Sequence, residues 1–179
     1  GMRRGEAAGL EWKDIDFENH IISIRRTSNY SKTLGIFTKE PKTEGSIRQI
    51  SVPQLLLDTL KEYRLYYNDL ADKWGAKWVH SDRLFVREHG EPMSPDTINF
   101  WFKKLLNGTD LPHVTVHSLR HTNITLQIAA GVPLVTVAAR AGHSRTSTTT
   151  DIYSHFIKSQ DAVAVQALDN IFNSTDKGE

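Results

Sequence analysis

HSLRHTNITLQIAAGVPLVTVAARAGHSRTSTTTDIYSH, residues 117–155, is the stretch on which the fold turns. Gly131-Val132-Pro133 and Gly142 punctuate it, and glycine and proline are the strongest breakers of regular structure. What lies between reads as helices over 117–130, 133–141 and 146–155. Working outward toward the N-terminus, Ser94-Pro95 is a helix start, a capping hydroxyl followed by proline at the first helical position. Ile98, Phe102 and Leu105 give that helix its buried face, and Gly108 ends it. Farther upstream, after Pro53, Leu56, Leu60, Tyr63, Tyr67, Leu70 and Trp74 recur at intervals of four and three, one apolar stripe of a long helix. This aromatic stripe is core packing rather than a ligand site.

Before Pro53 the pattern changes. Residues 21–26, 34–39 and 46–52 favour strands, the last with Ile47, Ile50 and Val52 apolar. A small antiparallel sheet is therefore expected over 20–52, its last two strands joined by a Pro41-to-Gly45 turn. Arg3 to Leu10 reads as a short helix, followed by a turn at Asp14-Ile15-Asp16. At the other end, 159–172 is amphipathic, with Val165, Leu168 and Phe172 on one face. No repeat or long linker divides the chain. The expectation is one domain over 1–179, mainly α with a small antiparallel β-sheet (α+β).

Composition narrows the class. The 179 residues hold no cysteine, which removes disulfides, thiolate nucleophiles and cysteine-bound zinc. No apolar run approaches the roughly 20 residues that span a bilayer, and Gly1 to Glu6 lacks the apolar core of a signal peptide; a cytoplasmic protein with no membrane partner is expected. The formal net charge is +1, but affinity for nucleic acid follows clustered charge, not the total. Arg25, Arg26, Lys32, Lys39, Lys42 and Arg48 crowd one segment against only Glu40 and Glu44. By itself, that segment also fits an ordinary solvated hairpin.

Three patterns bear chemistry. In His117-Ser118-Leu119-Arg120 the outer residues are three apart on a helix and address one site. A guanidinium suits phosphate, donating two parallel hydrogen bonds while staying charged; a structural ion pair is the plainer reading of the same spacing. The second pattern is Gly1-Met2-Arg3-Arg4-Gly5-Glu6. The third is Ala141-Gly142-His143-Ser144, with Tyr153 ten residues after His143. Each alone fits a cap or a half-buried aromatic.

Together the patterns resemble the tyrosine recombinase (phage integrase) family, over about residues 1–157. Arg3 is similar to the family's first catalytic arginine, and Lys42, in Pro41-Lys42-Thr43-Glu44-Gly45-Ser46-Ile47-Arg48, to its hairpin lysine. His117 and Arg120 match the His-x-x-Arg pair. His143 takes the position held by histidine or tryptophan, and Tyr153 that of the nucleophile. The resemblance implies the catalytic-domain fold of DNA breaking-rejoining enzymes. It also implies cleavage and rejoining through a 3′-phosphotyrosine, with no cofactor and no metal. Arg3 and Arg120 would clamp the phosphate, His117 accept the phenol proton, Lys42 protonate the leaving 5′ oxygen and His143 bond to the phosphate. Double-stranded DNA is the implied partner, with other protomers in a tetrameric synaptic complex and a monomer in isolation. Arg25, Arg26, Lys32, Lys39 and Arg48 are candidate DNA contacts, Lys39 also being the rival to Lys42. Glu6 is expected to orient Arg3 or to pair with Arg4, and His121 to buttress the fold.

The resemblance begins in mid-motif, without the helices and core-binding domain that precede this arginine in the family. A truncated catalytic domain is expected, with Gly1 a tag remnant, Arg3 loosely held, weak DNA binding and little activity in isolation. Segment 159–172 is the candidate exchange helix between protomers; packing on its own domain is the alternative. Other readings are a type IB topoisomerase, a catalytically silent DNA-binding module, and a metal site built from His113, His117 and His121, which recur every four residues but across an expected loop.

Overall fold

Helix α1 (Arg4–Gly9) opens the fold, with Arg3 at its N-cap and Glu6 in its first turn. The Glu6 carboxylate accepts the Arg3 backbone N–H at 2.7 Å, satisfying one of the donors that a helix start leaves unpaired. In a computed structural model, which describes residues 1–39, 47–112, 114–143 and 146–151, α1 lies against a strand it could not approach with larger residues. A Cβ on Gly5 would come within 2.6 Å of Thr27 Cγ2 and 2.8 Å of the Ser28 carbonyl oxygen.

The chain continues through a 3-10 turn, Trp12–Asp14, into β1 (Ile15–Asp16) and β2 (Ile21–Ile24). The reversal falls at 17–20 rather than at the expected 14–16. Strand β5 (Arg48–Ser51) pairs antiparallel with β2, giving the order β1-β2-β5, with Ile22 opposite both Ile15 and Ile50. A second, two-stranded sheet joins β3 (Thr27–Ser31) to β4 (Gly35–Lys39). The single sheet expected over 20–52 is thus two, and the strand over 34–39 pairs with 27–31 instead of 46–52. The reason is that β3 carries no apolar alternation. Its buried member is Ser28, and small-residue contact with α1 replaces hydrophobic burial there. The expected Pro41-to-Gly45 turn lies outside the described residues.

Helix α2 (Gln54–Trp74) forms as the stripe requires, but rotated at its start: Leu57 is 0% exposed and Leu56 38%. Three consecutive leucines, 55–57, leave the spacing rule no means of choosing among them. Farther along, Tyr63 and Tyr67 pack on Trp12 at ring distances of 6.0 and 5.6 Å, and Tyr67 meets Trp78 edge-on at 5.3 Å. The aromatic stripe is core, as read. With Leu10, Ile15, Ile22, Ile24, Ile50, Leu60 and Leu84 it closes the larger of two apolar clusters.

Helix α3 (Pro95–Leu106) is capped by Ser94, whose hydroxyl oxygen accepts from the Asp96 N–H. Leu105, expected inside, is 72% exposed; Leu106 is partly buried in its place. Helix α4 (Val116–Ala129) begins at Thr115, which caps Ser118, and α5 (Leu134–Ala141) ends on left-handed Gly142. Residues 146–151 are helical. The smaller cluster, Ile124, Val137 and Ala141, binds α4 to α5. The architecture is mainly α with small antiparallel sheets.

Candidate active site

Glu6 organises one side of the site. Its side chain is almost wholly buried, yet α1 aims it at two guanidiniums. Arg48, the first residue of β5, donates from Nη1 and Nη2 to the two carboxylate oxygens at 3.0 and 2.8 Å, and from Nε to the Arg140 carbonyl at 2.8 Å. Arg3 donates from Nη1 to Glu6 Oε1 at 2.9 Å. Burial alone would raise the Glu6 pKa; the hydrogen bonds from Arg48 and Arg3 outweigh it and hold the carboxyl below its ordinary range. Glu6 therefore orients Arg3, while Arg4 pairs with Asp96 at 2.8 Å.

The other side is built on the end of α5. Arg3 Nη2 donates to the Gly142 carbonyl at 2.7 Å, and Arg120 Nη2 donates to the adjacent Ala141 carbonyl at 2.7 Å. Arg120 also donates to the Gly1 carbonyl. Two guanidiniums, from the α1 N-cap and from α4, thus converge on neighbouring peptide groups, and His143 is the next residue. Its backbone N–H donates to Ala138 at 3.0 Å, and its Nδ1 lies 2.9 Å from the hydroxyl of buried Thr149. Gly142 makes this possible in two ways. It adopts φ +68°, a conformation natural to glycine, and a Cβ there would sit 2.6 Å from Arg48 Nη1.

The site is strongly electropositive. Arg3 and Arg48 bond to one buried carboxylate, and the Arg120 guanidinium adds a third positive charge nearby. Burial, and then the Arg3 and Arg48 charges, bring the Arg120 pKa down to about 10, which leaves it charged at neutral pH. His143 is pushed below its ordinary value by burial first, then by Arg120, Arg3, Arg48 and His121. A neutral imidazole beside fixed cations is a hydrogen-bond donor that competes for no counter-charge. Such a cluster is suited to an anion whose charge grows during reaction.

The remaining expected residues are distributed less evenly. His117, on the first turn of α4, is exposed and lines an open groove of about 620 Å³ with Arg4, Phe102 and Lys103. Its ring meets His121 edge-on at 4.5 Å; burial, then His117 and Arg120, lower the His121 pKa. Arg25, Lys32 and Lys39 are exposed. Of the other candidate DNA contacts, Arg26 pairs with buried Asp14 and Arg48 with Glu6, each beside a carboxylate that burial would otherwise leave unpaired. Lys42, His113, Tyr153 and segment 159–172 lie outside the described residues.

Sequence reasoning passed over Thr149 and Arg140. Thr149 stands in the run Thr146-Ser147-Thr148-Thr149-Thr150, which marks no member as special. Arg140 bridges Gln127 and the Ser51 carbonyl at 2.9 and 3.0 Å, a long-range contact with no local signature.

Known proteins are similar to this chain in sequence and fold. Residues 1–160 match the model of the Phage integrase family. A tyrosine recombinase XerC-like protein of Caldanaerobacter subterraneus subsp. tengcongensis is 33% identical over 96% of the chain and 47% of its own length; the ICEBs1 integrase of Bacillus subtilis is 28% identical over 96% and 46%. The chain spans about half the length of the curated relatives it matches. Among solved structures, the Tn1549 transposon integrase bound to circular intermediate DNA superposes with a TM-score of 0.71 at 25% identity, covering 84% of this chain and 50% of that one. XerA recombinase gives 0.64 at 26%, over 86% and 48%. With the matched region taking in both arginines, Glu6 and His143, the chain belongs to the phage integrase family.

Proposed function

We propose that this chain is the catalytic domain of a site-specific tyrosine recombinase, cleaving and rejoining double-stranded DNA of a mobile element through a 3′-phosphotyrosine. The observation that carries the reading is the convergence of Arg3 and Arg120 on the adjacent carbonyls of Gly142 and Ala141. Each guanidinium has five N–H donors, so those protein contacts leave donors for the two non-bridging oxygens of a phosphate. Integrases, transposases and Xer-type recombinases among the relatives support recombination over topoisomerase chemistry.

The steps follow from charge. The Tyr153 phenol, with an ordinary pKa near 10, loses its proton to His117 as its oxygen attacks phosphorus. Arg3 and Arg120 stabilise the growing oxyanion charge, and His143 donates a further hydrogen bond. Lys42 protonates the departing 5′ oxygen. Attack by a 5′ hydroxyl of another strand reverses the sequence and restores tyrosine without ATP. Thr149, four residues before Tyr153 in the chain, bonds to His143 and supports their closeness. Arg25, Lys32 and Lys39 contact the DNA backbone. The protein works as a tetramer in the synaptic complex and is a monomer alone, with 159–172 docking between protomers; it acts in the cytoplasm.

The test is a nicked half-site duplex incubated with the natural-length protein that carries this chain. A protein–DNA adduct should survive denaturing electrophoresis, and mass spectrometry should find the nucleotide on Tyr153. Its absence in the unmodified protein, or its persistence in Tyr153→Phe, overturns the reading.

A further inference from the structure

We infer that Arg48 is a positioning residue for the reaction, acting through Glu6 on Arg3, and not a DNA contact; the inference rests on the function proposed above. The argument starts from one buried carboxylate. Glu6 accepts four hydrogen bonds: both Nη groups of Arg48, Nη1 of Arg3 and the Arg3 backbone N–H. A carboxylate free to rotate about its last torsion could satisfy Arg3 in many orientations. The Arg48 fork removes that freedom, because two parallel N–H donors fix the plane of the group they grip. Once the plane is fixed, the direction in which Oε1 receives Arg3 is fixed with it.

Arg48 is itself held. Its Nε donates to the Arg140 carbonyl at 2.8 Å on α5, and its backbone belongs to β5 at the Ile24 register of the three-stranded sheet. The guanidinium also fills the space that a Gly142 side chain would take, within 2.6–2.8 Å of an added Cβ. Gly142 in turn supplies the carbonyl that receives Arg3 Nη2. Arg48 therefore sets both anchors of Arg3: Glu6 by hydrogen bonding and Gly142 by packing. Its own side chain is 8% exposed, which keeps it from a duplex.

The consequence is specific. Lysine keeps the charge but offers one point donor in place of a fork, so Arg48→Lys should release Arg3 without emptying the site of positive charge. Single-turnover cleavage of the nicked half-site should slow about 10- to 100-fold, the worth of a charge-assisted hydrogen-bond pair. In an Arg3→Ala background the same substitution should cost no more than about twofold, the limit of ordinary additivity. A structural role would cost the same factor in both backgrounds. Independently of activity, 15N relaxation of the Arg3 side chain should show it more mobile in Arg48→Lys.

Glu6→Gln, which keeps the volume of the link, provides a second variant should Arg48→Lys fail to fold; it should mobilise Arg3 and show the same non-additivity with Arg3→Ala. Equal losses in both backgrounds, or an Arg3 side chain as rigid in the variants as in the unmodified protein, overturn the inference. If the unmodified protein forms no adduct, the functional reading fails instead, and Arg3 mobility alone decides the role of Arg48.

Discussion

His143 feels the charge of the site in its own ionisation. Its pKa is depressed by burial and by Arg120, Arg3 and Arg48, and that of His121 is depressed as well. A histidine with a lowered folded pKa binds fewer protons than its unfolded counterpart, so its contribution is present above the unfolded pKa, near 6.5, and is lost as pH falls through the folded value. The thermal midpoint should therefore drop as pH is lowered from 7 to 5, and His143→Asn should flatten that drop; an unchanged slope would show that His143 does not carry it. Glu6→Ala leaves the Arg48 guanidinium buried without its carboxylate, a change expected to cost about 3–5 kcal/mol in urea unfolding. At this scale the sequence was informative where a residue type is tied to one chemistry: Arg3, Arg120 and His143 are grouped as their motifs implied. It read Arg48 only as a candidate DNA contact, since a basic residue in a basic segment looks the same whether it meets a phosphate or a buried carboxylate.

Elements were legible in proportion to their periodicity. The Ser94-Pro95 start of α3 and the Gly142 end of α5 were placed by stop and start chemistry. Strand β3 was missed because its contact with α1 depends on the absence of side chains at Gly5 and Gly9, and no hydrophobic pattern records an absence. That contact has a measurable consequence. Gly5→Ala would drive a methyl group into Thr27 and the Ser28 carbonyl, and the overpacking should destabilise the domain by about 1–3 kcal/mol. Because α1 carries Glu6 and starts at the Arg3 N-cap, the same variant should also slow cleavage; destabilisation without any loss of rate would mean that α1 position and catalysis are uncoupled.

For the whole molecule, a net charge of +1 hides an uneven distribution. Arg25, Lys32 and Lys39 are exposed, while Arg3 and Arg48 share one buried carboxylate with Arg120 nearby. Binding to duplex DNA should weaken steeply with salt, and removing Lys32 or Lys39 should lower affinity across all sequences and reduce the salt slope by about one each; a slope unchanged by both would place the duplex on another face. The central claim is that one phosphate is gripped by both arginines at once. A structure of Tyr153→Phe bound to a nicked half-site tests it most directly. The account predicts a single phosphate whose non-bridging oxygens accept hydrogen bonds from Arg3 and Arg120, at about 2.7–2.9 Å, with His143 beside it. Arg3 and Arg120 on different phosphates, or turned away from the DNA, would contradict it.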